Sequence, residues 1–347
     1  MIALAEKLTS QHSLTEAEYQ QLIENRTPKT ARFLAEQAVT VRKQFYGNDV
    51  YVRGLIEIGN VCKNDCLYCG IRRSNRKCQR YSLTTEEILE RCRDGYALGF
   101  RTFVLQGGEN PALTDEILCR LVAAIKSEFP DCAITLSLGE RSRENYRLLK
   151  EAGTDRYLLR HETADADHYA MLHPKEMSFY NRMACLQNLK ALGYQVGCGF
   201  MVGSPYQTAA HLAKDLKFIE EFQPHMCGIG PFVPHSDTPY GSESAGTLEL
   251  TCYLLSIIRL IQPQILLPAT TALGTIDPNG REKGILSGAN VVMPNLSPGA
   301  VRKKYMLYNN KISDGAEAAE CLDSLKARME AIGYRIVTTR GDHPWLA

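Results

Sequence analysis

Residues 60–70 read NVCKNDCLYCG and place Cys62, Cys66 and Cys69 in the spacing Cys-x-x-x-Cys-x-x-Cys. The segment directly upstream, Val50–Ile58 (VYVRGLIEI), has the composition of a β-strand. The three thiols are therefore predicted on the loop that leaves the carboxyl end of that strand. Three thiolates hold three corners of a cubane iron–sulfur cluster, and the fourth iron, which normally takes a fourth thiolate, is then open to a ligand from outside the protein.

Structural zinc is the alternative for a short group of cysteines in a chain with reduced thiols. Zinc of that kind takes four protein ligands. Neither a second Cys-x-x-Cys pair nor a His-x-x-x-His pair follows the motif at the spacing of a zinc finger. The pattern therefore favours the cluster.

The motif resembles that of the radical S-adenosylmethionine (SAM) enzymes. In that family the open iron chelates the amino and carboxylate groups of SAM, which is cleaved reductively to methionine and a 5′-deoxyadenosyl radical. The resemblance implies one 4Fe-4S cluster on Cys62, Cys66 and Cys69, SAM as a second cofactor, and Tyr68 packed beside the adenine.

The composition of the 347-residue chain excludes several classes of protein. Its 40 basic and 39 acidic residues give a net charge of +1, which provides no bulk field for nucleic acid or an anionic membrane. No apolar run approaches the length of a membrane span, and Glu6 and Lys7 lie where a secretory signal needs an apolar core. The twelve cysteines show no disulfide rhythm. We expect a cytoplasmic protein with reduced thiols that binds neither nucleic acid nor membrane.

An α/β fold is predicted from an alternation of short β-rich runs and amphipathic helices after residue 48. No linker interrupts the alternation, so the pattern predicts one complete (β/α)8 TIM-type barrel over residues 49–310, with a helical extension at 1–48 and a short helical tail at 311–347 packed on the barrel. The strand candidates are Val50–Ile58, Thr102–Gln106, Ala133–Leu138, Arg156–Arg160, Gln195–Met201, Met226–Ile229, Ile265–Leu267 and Asn290–Met293.

The period-two pattern of these strands predicts a polar barrel interior. Burying unpaired charge under the outer helices costs several kcal/mol by rough estimate, so charged positions are expected to face inward. Gly197 and Gly199 share the inward parity and would leave room for a ligand, whereas Cys132 and Cys198 have the opposite parity and belong to the core. Internal salt bridges without a ligand are the alternative. The inward polar residues are Arg53, Glu57, Thr135, Ser137, Arg156, Arg160 and Glu162.

Further motifs follow other predicted strands. Gln106–Glu109 (QGGE) contains two glycines that let the backbone approach a ligand, although many such turns only connect elements. Gly199–Thr208 (GFMVGSPYQT) suits an adenine or ribose edge, or is a tight βα turn. Thr270 and Thr271 offer adjacent hydroxyls to an anion, or cap a helix.

The longer blocks resemble the HydE family of FeFe-hydrogenase maturases, which share a branch with biotin synthase and methylornithine synthase. These blocks are TLSLGE (135–140), DRYLLRHETA (155–164), GIGPFVPHSDTP (228–239), PATTALGTI (268–276) and GANVVMPNLSP (288–298). The resemblance implies that SAM is lined by Tyr68, Gln106, Gly107, Gly108, Glu109, Ser137, Glu162, Arg182 and Met201. It implies a substrate region of Arg53, Arg156, Thr270, Thr271, Met226, Met293, Tyr305 and Tyr308.

The HydE family acts on a small organometallic substrate, an iron-bound cysteine carrying carbon monoxide and cyanide, in assembly of the hydrogenase diiron subsite. The resemblance therefore implies other hydrogenase maturases and a ferredoxin- or flavodoxin-type electron donor as partners. Some relatives hold a second cluster on three C-terminal cysteines. Here the tail offers Cys321 alone, so no second cluster is expected.

Two alternatives stay open. A methylornithine-synthase or biotin-synthase-like enzyme acting on an amino-acid-type substrate would share the barrel and the cysteine motif. A non-catalytic iron–sulfur carrier or scaffold would share the cluster, although an open iron argues against simple electron transfer.

Overall fold

The computed structural model describes residues 1–313 and 319–344; the tail positions 314–318 and 345–347 lie outside the described residues. Its strands are β1 (Asp49–Val52), β2 (Gly54–Gly59), β3 (Thr102–Gly107), β4 (Ala133–Ser137), β5 (Arg156–Leu158), β6 (Gln195–Cys198), β7 (Met201–Val202), β8 (Met226–Cys227), β9 (Gly230–Pro231), β10 (Val291–Val292) and β11 (Arg335–Val337).

The chain has fourteen α-helices among the described residues, most of them between strands. They are α1 (Ile2–Gln11), α2 (Glu16–Glu24), α3 (Pro28–Tyr46), α4 (Thr85–Ala97), α5 (Asp115–Glu128), α6 (Arg143–Glu151), α7 (Ala166–Leu172), α8 (Phe179–Ala191), α9 (Ala209–Phe222), α10 (Leu248–Ile261), α11 (Thr271–Ile276), α12 (Gly280–Ile285), α13 (Gly299–Arg302) and α14 (Leu322–Ala331). No helix among the described residues combines the length and apolarity needed to cross a bilayer.

Parallel pairings run around the barrel. The largest sheet has the order β2-β3-β4-β5-β6-β8. Single parallel bridges continue it from Met226 to Leu266 and from Pro268 to Val291. β10 then pairs with β1, Tyr51 opposite Val291, so the ladder returns to the first strand. The predicted α/β class with parallel strands is confirmed.

The predicted seventh strand at 265–267 is reduced to these isolated bridges. Pro268 has no N–H to donate to a ladder, which limits regular pairing there. The tail adds a strand that the sequence pattern did not indicate: β11 pairs in parallel with β1, Val50 opposite Ile336.

Helix caps explain where the N-terminal helices begin. The hydroxyl of Thr15 accepts from the backbone N–H of Glu18, and the Glu18 carboxylate accepts from the N–H of Thr15 in return. Thr27 caps α3, whose first residue is Pro28. The helix ends at Gly47, which has φ +52°.

The core lies between the outer faces of the strands and the surrounding helices. Val52 of β1 and Ile56 and Ile58 of β2 are buried there. Cys132 and Cys198 are also buried in this core, as their parity predicted. The alternation of side chains along a strand therefore sends apolar residues outward to the helices and leaves the polar set inside.

Candidate functional site

The three cysteines line one cavity of about 330 Å³ at the carboxyl end of the barrel. One arginine side chain bonds to four backbone carbonyls of the loop that carries them. Arg80 donates from Nη1 to the carbonyls of Asn60 (2.6 Å) and Ile71 (2.7 Å), and from Nη2 to those of Arg72 (2.5 Å) and Asn75 (3.2 Å). These four hydrogen bonds fix the shape of the loop that carries the thiols.

Burial of the three thiols disfavours their charged form when no metal is bound. Burial raises the pKa values of Cys62 and Cys66, and raises that of Cys69 to about 12. Bound metal cations would lower these pKa values again, because coordination stabilises the thiolate. In the described part of the chain, no three Cys, His, Asp or Glu side chains converge tightly enough to hold one metal ion. A cubane does not need such convergence, since each thiolate binds a different iron.

The QGGE segment presses against the cysteine loop. A Cβ on Gly108 would lie 2.4 Å from the Val61 carbonyl oxygen and 2.8 Å from the Cys62 Cβ. The N–H of Lys63 donates to the carbonyl of Glu109 at 2.9 Å. A glycine is therefore required at position 108 for the two loops to touch.

The side chain of Glu109 is fixed from its other side. Its Oε1 accepts from the backbone N–H of Glu140 at 3.1 Å. Gly139 has φ +77°, and a Cβ there would lie 2.0 Å from Glu109. All four QGGE residues, together with Tyr68 and Ser137, line the cavity.

Glu162, four residues after β5, has an unusual backbone conformation. Its φ is +67°, a left-handed value that costs a non-glycine residue about 1–2 kcal/mol. Backbone bonds hold it there: its N–H donates to Gly199 (3.0 Å) and its carbonyl accepts from Met201 (3.3 Å). The carboxylate lines the cavity, 3.1 Å from Nη2 of Arg160. Strain of this kind is concentrated at functional sites.

Behind Glu162 lies a fully buried pair, His161 and Asp215. The Gly199 N–H donates to Nδ1 of His161 (3.3 Å), which leaves the ring hydrogen on Nε2, 3.1 Å from the Asp215 carboxyl. The same Asp215 oxygen accepts from the N–H of Ala164 at 2.6 Å. Burial raises the pKa of Asp215 and lowers that of His161 to about 3, so both shifts favour the uncharged forms. By accepting these hydrogen bonds, the pair fixes the backbone at Gly199 and Ala164, next to Glu162.

Arg182 projects from α8 into the same cavity. It donates to the carboxylate of Glu140 and, at 2.8 Å, to the carbonyl of Arg160. Although burial opposes its charge, Tyr169, Glu140 and Glu109 keep the pKa of Arg182 above its usual value. It is a buried, permanently charged donor beside the cysteine loop.

The deeper wall is polar as well. Among the described residues the buried hydroxyl of Thr270 has no hydrogen-bond partner. Lys311 lies there with its ammonium 2.7 Å from the carboxylate of Glu57, which also accepts from Asn295 at 3.0 Å. Glu57, Thr270, Thr271, Met293, Tyr305, Tyr308 and Lys311 all line the cavity.

Three predicted substrate residues lie elsewhere. Arg53, Arg156 and Met226 do not line the cavity. Arg53 donates to the thioether of Met226 (2.9 Å) and towards the carbonyl of Gly341 (3.4 Å). Arg156 donates to the carboxylate of Asp342 (2.6 Å).

Strand depth explains this placement. Arg53 precedes Glu57 by four residues on the same strand face, which puts it about 13 Å closer to the amino end of the barrel. The C-terminal tail closes that end and binds both arginines. Their inward direction was predicted correctly, but their surroundings are protein rather than cavity.

The predicted role of two glycines also needs correction. A Cβ on Gly197 would meet Leu158 at 2.6 Å and Met226 at 3.1 Å, and one on Gly199 would meet the Gly228 carbonyl at 2.0 Å. These glycines make room for neighbouring protein atoms. Gly228 and Gly230, from the next strand, line the cavity instead.

Three residues that line the cavity are not among the predicted SAM or substrate residues: Glu57, Arg160 and Lys311. Glu57 and Arg160 carry the inward parity, which does indicate them, although not their height in the barrel. Lys311 lies after β10 in an irregular segment, and no periodic pattern marks it.

The chain is similar in sequence to proteins of one superfamily. Residues 56–219 match the model of the radical SAM superfamily. Over 87% of this chain and 86% of the relative, the sequence is 45% identical to the [FeFe] hydrogenase maturase subunit HydE of Thermotoga maritima. It is 27% identical to 3-methylornithine synthase of Methanosarcina barkeri, over 96% of this chain and 93% of that protein.

The fold is shared with a solved relative. The crystal structure of methylornithine synthase (PylB) superposes with a TM-score of 0.85 at 25% identity, covering 96% of this chain and 97% of that one.

Proposed function

Because the chain belongs to the radical SAM superfamily, within the family of the HydE maturases, we propose that it is a SAM-cleaving enzyme that acts on an iron-bound cysteine precursor of the FeFe-hydrogenase diiron subsite. One observation carries the proposal: the three thiols, the Glu162–Arg182 wall and the polar deep wall all line a single cavity. A cofactor at the thiols and a substrate at the deep wall would therefore share one cavity.

The residues near the thiols fit a bound 4Fe-4S cluster and SAM. The cluster on Cys62, Cys66 and Cys69 would supply the electron for reductive cleavage. Arg182 offers a bidentate-capable cation to the SAM carboxylate, and Glu162 offers an acceptor to its amino or ribose groups. The burial around them excludes water and contains a reactive species.

The deep wall fits a small, polar, anionic substrate. Arg160 and Lys311 bring two cationic groups to the cavity, each already paired with a carboxylate at 3.1 Å or less. The hydroxyls of Thr270 and Tyr305 add hydrogen-bonding groups. An iron-bound cysteine with diatomic ligands has this size and polarity. Thr271, Met293 and Tyr308 complete the proposed contact set.

The proposed partners follow from this chemistry. Another hydrogenase maturase would supply the organometallic substrate, and a ferredoxin- or flavodoxin-type protein would supply electrons. We place the reaction in the cytoplasm, with one cluster per chain.

Methylornithine synthesis is a second candidate because the PylB fold match covers nearly the whole of both chains. Biotin-synthase chemistry is less well supported. It needs cysteines inside the barrel for a sacrificial cluster, and Cys132 and Cys198 are buried in the outer core.

The test is an anaerobic assay with reconstituted protein, SAM and dithionite. We expect 5′-deoxyadenosine and methionine, with turnover stimulated by the iron–cysteine complex and not by lysine. Stimulation by lysine alone would favour the methylornithine reaction. Cluster formation without 5′-deoxyadenosine would favour a carrier or scaffold.

A further inference from the structure

Positive charge is concentrated directly after the first cluster cysteine. Residues 62–80 contain six cationic residues and one acidic residue, a net charge of +5, whereas the whole chain has +1. Two of the six are structural: Arg80 holds the loop carbonyls, and Arg72 pairs with Asp65 at 2.8 Å. The other four, Lys63, Arg73, Arg76 and Lys77, are exposed and form what we call the cationic rim.

The rim is fixed to the cluster loop. The backbone N–H of Arg73 donates to the carbonyl of Asn64, between the first two cysteines, at 2.9 Å. Within the described residues, the side chains of Arg73 and Arg76 have no hydrogen-bonding or ionic partner. Lys77 pairs with Asp237 at 2.6 Å, but its side chain is 80% exposed. Lys63 pairs with Glu109 at 3.4 Å, with its side chain 53% exposed. Arg73 and Arg76 therefore present uncompensated charge beside the site that must receive an electron.

An exposed apolar patch touches the same loop from another side. The N–H of Tyr240 donates to the carbonyl of Leu67 at 3.3 Å, and its hydroxyl donates to the carbonyl of Met171. Tyr206 packs edge-on against Tyr240 and is 62% exposed, and Met171 is 45% exposed. We call Met171, Tyr206 and Tyr240 the tyrosine patch.

The tyrosine patch includes a residue with an unfavourable backbone conformation. Tyr206 has φ +65°, a left-handed conformation that disfavours a bulky side chain. Large apolar groups held at the surface, next to polar ones, are typical of protein interfaces. Aromatic residues in such positions often carry much of the binding energy.

We propose that the cationic rim and the tyrosine patch together are the docking surface for an acidic one-electron carrier protein. The inference rests on the proposed function, which requires an external electron. Electron transfer weakens steeply with distance, so the carrier has to dock close to the loop that holds the thiols. The rim would steer an acidic partner into place, and the patch would supply the apolar centre of the contact.

Charge reversal of the rim tests the proposal. The variant R73E/R76E is compared with the wild type and with K29E/R32E, which makes the same charge change at exposed positions of α3. SAM cleavage is driven either by reduced flavodoxin, as a representative acidic carrier, or by dithionite, which needs no docking. Flavodoxin binding is titrated separately, so the result does not depend on turnover.

We expect R73E/R76E to weaken flavodoxin binding, and to raise its KM, by about tenfold or more at low salt. The salt dependence should become shallower, while dithionite-driven cleavage stays at the wild-type rate. K29E/R32E should match the wild type in every measurement. Tyr206→Gly, which suits the backbone and removes the ring, should weaken binding without changing the salt dependence.

Two results would overturn the docking proposal: unchanged flavodoxin binding in R73E/R76E, or an equal loss in K29E/R32E. If substrate delivery by a partner maturase slowed while flavodoxin binding did not change, the surface would belong to that partner instead. A wild-type protein that binds flavodoxin at the rim but does not cleave SAM with dithionite would contradict the proposed function and leave the docking surface standing.

Discussion

Adding one methyl group at Gly108 should separate the two loops that build the cofactor end of the cavity. In Gly108→Ala the new Cβ would lie 2.4 Å from the Val61 carbonyl oxygen and 2.8 Å from the Cys62 Cβ. Real contacts of this kind are essentially never below 3.0 Å, so the loops must part by more than half an ångström. Overpacking of this degree costs about 1–3 kcal/mol of the free energy of unfolding.

The functional loss should exceed the loss of stability. Misplacement of reacting groups by about 1 Å can cost 10²-fold in rate. We therefore expect SAM cleavage to fall between about tenfold and 10²-fold, with less iron retained after reconstitution. Iron and sulfide content, urea unfolding and 5′-deoxyadenosine formation measure the three effects.

Alanine substitutions at two other glycines serve as controls for this prediction. Gly299 has no atom within 4 Å of the position that an added Cβ would occupy, so Gly299→Ala should behave as the wild type. Gly107→Ala brings its Cβ to 3.1 Å from the Gly59 carbonyl, so its effect should be intermediate. If Gly108→Ala retained full iron and full activity, the close approach of the loops would not matter and the reasoning would be wrong.

Further predictions concern the cluster, the strained residue and the tail. Cys66→Ala should abolish both the cluster and SAM cleavage, and wild-type protein should contain about four irons per chain; about eight would show a second cluster. Glu162→Gln should raise the KM for SAM about tenfold while changing the free energy of unfolding by less than about 1 kcal/mol; an unchanged KM would exclude contact with SAM. Burial alone would raise the pKa of Asp342, but Arg156 and the other groups around the carboxylate lower it below its usual value. The ionised Asp342 carboxylate therefore stabilises the folded protein above the ordinary carboxyl pKa of about 3.9. This stabilisation is lost as the pH falls towards the lowered pKa. Asp342→Asn should destabilise the protein by about 3 kcal/mol at pH 7 in urea unfolding, and progressively less as the pH falls below about 3.9; a loss that does not shrink as the pH falls would contradict the ion pair.

The local parts of the site could be predicted because they depend on neighbours in sequence. Cys62, Cys66 and Cys69 follow a strand directly, so their loop had to leave its carboxyl end. The alternation of side chains along a strand also indicated that Ser137 and Glu162 point inward, and both line the cavity.

Depth along the barrel could not be predicted in the same way. The period of a strand fixes the face on which a side chain lies but not the end of the barrel that it reaches. The pattern therefore indicated the inward face of Arg53 and Arg156, but not that protein atoms of the C-terminal tail, rather than the cavity, surround them.

The sequence by itself determined the family, the parallel α/β fold, the cysteine loop and the inward face of each strand, because all of these follow from short spacings and local periodicity. The tertiary structure alone decided that the tail closes the amino end of the barrel, bringing Asp342 to within 2.6 Å of Arg156. It alone brought Lys311 to within 2.7 Å of Glu57 in the deep wall. Pairs so distant in sequence meet only when the C-terminal segments pack against the assembled strands, and no local pattern encodes that packing.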